Sequence, residues 1–410
     1  MKKRPLIIIL TLILSSSLFA NAAERIIDMA PRLSQWNVKK VTGDAIAQAT
    51  RILEDPFVAP NTTVVIKFPA GTFRFYRNAH SPLAAIYIND LKPRNNGALV
   101  IRGAGRNSTT FVIMQNQDQT NRNHLSNDRN HSKSQYGILC TNSRGITFEH
   151  LHLTVAQNTV SQGTVRWISR DRRQIHVEID AGYALPTRLM ADRQNNHGRW
   201  LRRYSDNGTG NPPIDVRFDH EEWTAAYEVA GLRRVRIDLV DSTRLNVNDR
   251  IGIKAKHGKD LYQFTDCNNM VMQHLGMSKK ARGRFLRCRN VRIDRLVVGR
   301  QWVDGKPSFV ATPGGGPQFH ARQGGLVRDN ISTISRIPGP VIKDCVFIGL
   351  GDDPIGIFEQ RGSLIYDNVI VDSFGRGIFS HYCVGTWAPG EGQWRNILVR
   401  NDYERHDRVF

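Results

Sequence analysis

Val341-Ile342-Lys343-Asp344-Cys345-Val346-Phe347 is followed 23 residues later by Leu364-Ile365-Tyr366-Asp367-Asn368-Val369-Ile370. The two stretches align without a gap. Each is a short apolar-alternating strand, an Asp turn and a second strand. A repeat of about twenty-three residues is the length of one turn of a three-faced coil. One such turn cannot bury its inward side chains, but stacked turns share a continuous apolar interior.

Working outward, the same texture recurs over 136–153, 261–275, 284–298 and 394–403. Gly145-Ile146-Thr147-Phe148, Asn269-Met270-Val271-Met272 and Asn290-Val291-Arg292-Ile293 each place Gly or Asn at a turn before an alternating strand. An antiparallel sandwich would instead show two-residue hairpin signals such as Asn-Gly between strands, and the repeat region has few. The pattern predicts an all-β chain built as a parallel β-helix.

Upstream, Asp44 to Leu53 puts Ile46, Ala49, Ile52 and Leu53 on one helical face, with Asp44 as the expected N-cap. Thr63-Val64-Val65-Ile66-Lys67-Phe68 then alternates as a strand. A helix here is expected to cap the first turn of the coil, which would otherwise expose core and an unpaired edge. Residues 158–258 break the rhythm. Gly163 to Ile168 and Gln174 to Ile179 read as a hairpin about Arg170-Asp171-Arg172, and further strands follow at 235–239 and 249–253. An inserted antiparallel β-barrel is expected there. The expected organisation is 1–22 signal peptide, 23–157 cap and first turns, 158–258 barrel, and 259–410 later turns with the site.

The signal-peptide reading rests on Lys2, Lys3 and Arg4 before an apolar run from Leu6 to Leu14, then small residues at Ala20 and Ala22. That run is short of the ~20 residues a membrane span needs. Export to the periplasm or outside the cell is therefore expected. The formal net charge is +20, and about +17 without the three basic residues of the leader. A charge of that size in an exported protein suits a polyanionic partner such as an acidic or sulfated polysaccharide. Basic residues are dispersed rather than interleaved with aromatics, which disfavours nucleic acid. The five cysteines form neither a disulfide framework nor a zinc spacing. One bond between Cys267 and Cys288 is left open.

The chemistry is expected between 329 and 381. Asp329-Asn330-Ile331, Asp353-Pro354-Ile355 and Arg376-Gly377-Ile378 begin 24 and 23 residues apart. One turn per period would align Asp329, Asp353 and Arg376 in a column at ~4.8 Å spacing, with Asp352 beside it. Clustered carboxylates raise one another's pKa values, which is costly and often marks function. Glycoside hydrolysis needs such a set: an acid for the leaving oxygen and a carboxylate for water. Asp329, Asp352 and Asp353 are the catalytic candidates. Arg376, His381 and His320 are the substrate-binding candidates. Trp302, Trp387 and Trp394 could stack on sugar rings. The excess of Arg argues against calcium, and no metal or cofactor is expected.

The stretch Gly339-Pro340-Val341-Ile342 through Gly351-Asp352-Asp353 to Ile357 resembles the Asp-Asp turn of β-helix glycoside hydrolases in the pectate-lyase-like superfamily. It is similar to glycoside hydrolase family 110, the α-1,3-galactosidases, and more distantly to polygalacturonases. Gln162-Gly163-Thr164-Val165 resembles a strand of that family's inserted barrel. The resemblance implies a right-handed β-helix and an inverting mechanism in which Asp329 matches the first acid and Asp352-Asp353 the pair. Departures at Asn330-Ile331-Ser332, Pro354 and Gly356 mean the sugar specificity does not carry over. A polysaccharide lyase and a non-catalytic carbohydrate-binding protein are the alternatives.

Overall fold

The computed structural model describes residues 24–34, 37–76, 84–114, 136–156, 160–183, 185–186, 200–204, 221–229, 233–254, 260–300, 302–303, 306–309, 312, 314–321, 337–373, 377–381, 383 and 397–399. The proposed leader, Asp329, Arg376, Trp387 and Trp394 lie outside them.

The chain winds through three parallel sheets in turn. Arg144–Glu149 lies in the first sheet, His152–Val155 in the second and Tyr262–Thr265 in the third. The next turn repeats the order with Asn268–Gln273, Gly276–Ser278 and Gly283–Leu286. Among the described residues the sheets hold eight, eight and seven strands, and every pairing within them is parallel. This is a parallel β-helix. Val341 pairs with Leu364 and Ile342 with Ile365, so the 23-residue offset is the register of two adjacent turns.

The turn residues explain the repeat. Gly145, Asn269 and Asn290 stand at one position on successive turns, with φ of 66°, 56° and 52°. Asn tolerates the left-handed region better than most residues, and glycine enters it freely. Between the first and second sheets the chain bends on a two-residue corner. His150, His274, Arg295, Asp344 and Asp367 take the left-handed position, at φ of 52–56°. The next residue turns inward: Leu151, Leu275, Leu296, Cys345 and Asn368 are all buried. Buried Asn368 is satisfied by accepting from the Cys345 N–H at 3.0 Å and donating to the Ile342 carbonyl at 3.1 Å.

The core is one continuous cluster along the coil. In the third sheet Phe264, Phe285 and Phe319 stack on successive turns, with centroids 4.8 and 4.6 Å apart and planes within 7° and 4°. All five cysteines are free thiols, so the open Cys267–Cys288 bond is absent. The two thiols stand one above the other, because Asn268 pairs with Arg289.

The first turn begins with strand Glu24–Asp28, paired with Thr63–Lys67. A helix over Val38–Glu54 packs on strands Thr63–Lys67, Gly71–Phe75, Ala84–Asn89 and Ala98–Arg102. It buries Val38, Thr42, Ala45, Ile46, Ala49 and Leu53, a 3.6-period face. The helix starts earlier than expected. Asn37 is its N-cap residue, and Asp44 lies inside it, 2.7 Å from Lys40 one turn before. The apolar face continues upstream of Asp44 to Val38, so burial extends the helix past the polar signal.

Between His152–Val155 and Tyr262–Thr265, six antiparallel strands close into a barrel. In barrel order they are Val160–Ile168, Gln174–Ile179, Arg234–Leu239, Glu221–Val229, Trp200–Tyr204 and Arg250–Lys254. The barrel has its own core, centred on Val165, Val177, Leu201, Trp223, Ile237 and Ile251. Among the described residues no helix is long and apolar enough to cross a membrane.

Candidate functional site

Strand alternation sends every second residue of each sheet outward, so the three outer faces can be compared. On the first sheet the outward side chains neutralise one another. Glu149 binds Arg102, and Asp294 binds Arg292 at 2.6 Å. On the second, His152 Nε2 meets Ser278 Oγ at 2.8 Å, and Ser278 Oγ donates to Thr154 at 3.1 Å. The third sheet is different.

Its outward residues form a polar strip over three turns. Gln263 pairs in register with Arg284, and Arg284 with Gln318. Each is the residue just before a member of the phenylalanine stack, so the inward ladder fixes the outward row. Gly283 is required in this arrangement. A Cβ there would fall 2.0 Å from the ring of Tyr262, which is wholly buried one turn below. The alternation Arg282-Gly283-Arg284 thus gives its inward place to a glycine and turns both guanidiniums outward. They meet on Asp260, whose side chain is 2% exposed. Arg282 Nε lies 3.3 Å from Oδ1, and Arg284 Nε binds Oδ2. Tyr136 donates to Gln263 Oε1 at 3.1 Å. Burial, and then the Asp260 charge, raise the Tyr136 pKa, which keeps the phenol a donor.

His320 closes the strip. It is the last residue of strand Pro317–His320 and stacks on Phe358 of the next turn, centroids 4.4 Å apart and planes within 2°. Burial lowers its pKa to about 4, assisted by the charges of Arg284 and Arg282 and opposed by Asp260. The imidazole is therefore neutral near pH 7. Its Nε2 is buried without a hydrogen-bond partner among the described residues. A neutral ring nitrogen can accept or donate to a hydroxyl according to tautomer. Within the Pro- and Gly-rich stretch around His320, Pro317–His320 forms a strand of the sheet. Pro317 and Phe319 face inward, and burial of Phe319 holds the strand in register.

The expected carboxylate column is not what the register builds. Gln318 pairs with Gly356, an offset of 38 residues rather than 24. The position below Asp353 belongs to Gly315. Gly316 N–H donates to the Asp353 carbonyl at 3.1 Å, and a Cβ on Gly315 would fall 2.2 Å from that oxygen. The count from Asp329 failed because this turn carries extra residues between Ala321 and Ile337, so its length is not one period. One turn on, the period does hold. Ile355 pairs with Ile378, which is the 23-residue spacing that related Asp353 to Arg376.

Asp352 and Asp353 lie half-buried in the turn before strand Ile355–Phe358. Asp352 Oδ1 accepts the Asp353 N–H at 3.0 Å. Asp353 stands three residues upstream of Gly356, so it is about 10 Å along the strand direction from the Gln318 row. His320 pairs with Phe358, five residues past Asp353, which is about 17 Å. Phe358 in turn pairs with His381. His320 and His381 therefore share one column, at the opposite end of the strand from the Asp pair. Trp302 lies in a two-stranded hairpin with Pro307.

Asp260, Arg282, Arg284, Gln263, Gln318 and Tyr136 were not foreseen from the sequence. The usable signal was the dipeptide row Gln263-Phe264, Arg284-Phe285, Gln318-Phe319. Among the described residues no cluster of three His, Cys, Asp or Glu could hold a metal ion.

No protein-family model matches the sequence, and no curated protein matches it. Among solved structures, the chain overlaps a candidate glycosyl hydrolase of Parabacteroides merdae at 9% identity and a TM-score of 0.33, covering 88% of this chain and 97% of that one. A second protein named a glycoside hydrolase overlaps at 9% identity and a TM-score of 0.31, with coverage of 87% and 76%. Pectin methylesterase PemA of Erwinia chrysanthemi overlaps at 10% identity and a TM-score of 0.27, covering 92% and 94%. Overlap this shallow assigns no activity.

Proposed function

We propose that this chain is a carbohydrate-active enzyme, a glycoside hydrolase whose substrate lies across the outer face of the third sheet. The observation that supports this reading is the polar strip of Tyr136, Asp260, Gln263, Arg282, Arg284, Gln318 and His320, whose Gln318 row lies about 10 Å along the strand direction from Asp353. Sugars are recognised by such sets of planar donors and acceptors, and a pair of guanidiniums suits a sugar bearing carboxylate or sulfate. In this reading Asp352 and Asp353, with Asp329, supply the carboxyl groups. One carboxylic acid protonates the leaving glycosidic oxygen, while another carboxylate takes a proton from the water that attacks the anomeric carbon. His320, His381 and Arg376 hold neighbouring sugar units. Export, the helix as a cap on the first turn and the barrel as an inserted subdomain belong to the same proposal.

The test is a panel of polygalacturonate, a sulfated galactan, a neutral galactan and α-galactosides, read by new reducing ends. Hydrolysis of at least one is expected, with an inverted first-formed anomer by NMR and a loss of a hundredfold or more in Asp353→Asn. An unsaturated product would show a lyase instead. No cleavage of any polymer would remove the enzymic reading.

One observation favours a non-catalytic glycan binder. Asp352 already accepts a backbone N–H from its neighbour, and Gly315 rather than an acid lies below Asp353. Glycan retention by the wild type without cleavage, unchanged in Asp353→Asn, would support that reading.

A further inference from the structure

The barrel carries a surface that the third-sheet reading does not use. Across four adjacent barrel strands, Trp167 pairs with His176, His176 with Arg236, and Arg236 with Tyr227. These four residues form one transverse row on the outside of the barrel. Three strand spacings make it about 14 Å long. The side chains touch in two pairs along it. Trp167 and His176 have centroids 4.7 Å apart, and the Arg236 guanidinium carbon lies 4.4 Å above the Tyr227 ring.

Trp167 is outside for a specific reason. Val165 points inward and is fully buried. Plain alternation would send Trp167 to the same side. A β-bulge between Val165 and Trp167 inserts Arg166 as an extra residue and turns the indole outward, 44% exposed. Trp223, on the strand that carries Tyr227, is wholly buried, and that strand also breaks register, between Trp223 and Ala225. A bulge that moves a tryptophan from a core to water forgoes about 1.5–3 kcal/mol of burial typical of a large apolar side chain. Bulges commonly re-aim side chains at functional places.

The charge beside the row is positive. Burial, and then the charges of Arg234 and Arg236, lower the pKa of His176. Arg170 and Arg173 are exposed on the hairpin that joins the strands of Trp167 and His176. Arg166 is matched by Glu178 at 2.7 Å, and Arg236 Nε lies 3.3 Å from Asp238. That pair occupies one edge of the Arg236 fork, and the terminal edge carries the parallel donors that a planar oxyanion accepts.

We propose that the row Trp167–His176–Arg236–Tyr227 is a docking strip for an anionic saccharide chain, with Trp167 stacking on a sugar ring and Arg236 pairing with its carboxylate or sulfate. The strip is a second site, remote in sequence from the third-sheet residues. It stands whether or not the chain is an enzyme.

The test is affinity gel electrophoresis of the full chain in polygalacturonate, a sulfated galactan and a neutral galactan, with melting curves and gel filtration for every variant. Retardation by at least one anionic polymer and not by the neutral one is expected. Trp167→Ala and Arg236→Gln should each weaken it tenfold or more. Trp167→Phe should keep most of it, which guards against a folding defect in the alanine variant. Arg284→Ala and Asp353→Asn, on the third sheet, should leave barrel-dependent retardation in place. The proposal is overturned if Trp167→Ala and Arg236→Gln are retarded like the wild type, if no anionic polymer retards the wild type, or if the neutral polymer retards it equally. It is also overturned if the Trp167→Ala change instead converts a dimer to a monomer or abolishes tighter binding of a single-stranded oligonucleotide.

Discussion

Replacing Asp260 by alanine tests the polar strip through its energetics. The Asp260 side chain is 2% exposed and faces two guanidiniums, Arg282 at 28% and Arg284 at 40% side-chain exposure. Breaking a fully buried ion pair typically costs ~3–5 kcal/mol, because the remaining charge is left unpaired in low dielectric. Here both arginines retain contact with water and recover part of their hydration, so the expected cost falls to about 1–2 kcal/mol. A long stacked coil does not unfold as one two-state unit. The suitable assay is native-state hydrogen exchange at Gln263, Phe264, Arg284 and Phe285. A loss of about 1–2 kcal/mol in local opening energy corresponds to roughly 5–30-fold faster exchange. Asp260→Asn should behave similarly, since an amide no longer offers two acceptor oxygens to the arginines. The double variant Asp260→Ala with Arg284→Met should lose less than the sum, because one orphaned guanidinium is gone. Exchange at the wild-type rate in Asp260→Ala, or strict additivity in the double variant, would refute the claim that these three residues act as a unit.

The His320 imidazole should titrate near pH 4 by NMR, and Arg284→Met should move it upward without restoring 6.5, because burial remains the larger cause. Its folded pKa lies below the unfolded value, so the unfolded chain binds the proton more readily between those pH values. Stability should therefore be intact above about 6.5 and fall as the pH drops toward 4, and His320→Gln should flatten that fall. Gly315→Ala places a methyl 2.2 Å from the Asp353 carbonyl. It should cost about 1–3 kcal/mol and lower any hydrolytic rate by displacing the Asp turn, measured by melting and by reducing-end release. Gly43→Ala, inside the helix with nothing within 4 Å of the new Cβ, should stabilise the first turn by ~0.5–1 kcal/mol in local exchange.

The coil was legible in the sequence because its corners demand unusual backbone. Asn269 and Asn290 repeat where a left-handed residue is needed, and Asp344 and Asp367 repeat at the next corner. Repetition of that kind survives in one sequence without any alignment. The Asp352-Asp353 pair was legible as two adjacent acids, but its neighbour was not. Register is counted through every residue of a turn, and the extra residues between 321 and 337 changed the count from 24 to 38. Outward residues such as Gln263, Arg284 and Gln318 carry no periodic signal of their own, since water tolerates any polar side chain. They become visible only when aligned on the inward phenylalanines beside them. Asp260 was hidden for a different reason. It precedes its strand, and only the three-dimensional stacking brings Arg282 and Arg284 over it.

The central claim is that the outer face of the third sheet takes the glycan. Hydrogen exchange of the Asp353→Asn variant, with and without whichever polymer of the panel the wild type cleaves or binds, tests it most directly. Slowed exchange confined to Tyr262–Thr265, Gly283–Leu286, Pro317–His320 and Ile355–Phe358 is expected, apart from any protection on the barrel strands. Protection on the first or second sheet, with none on these four strands, would contradict it.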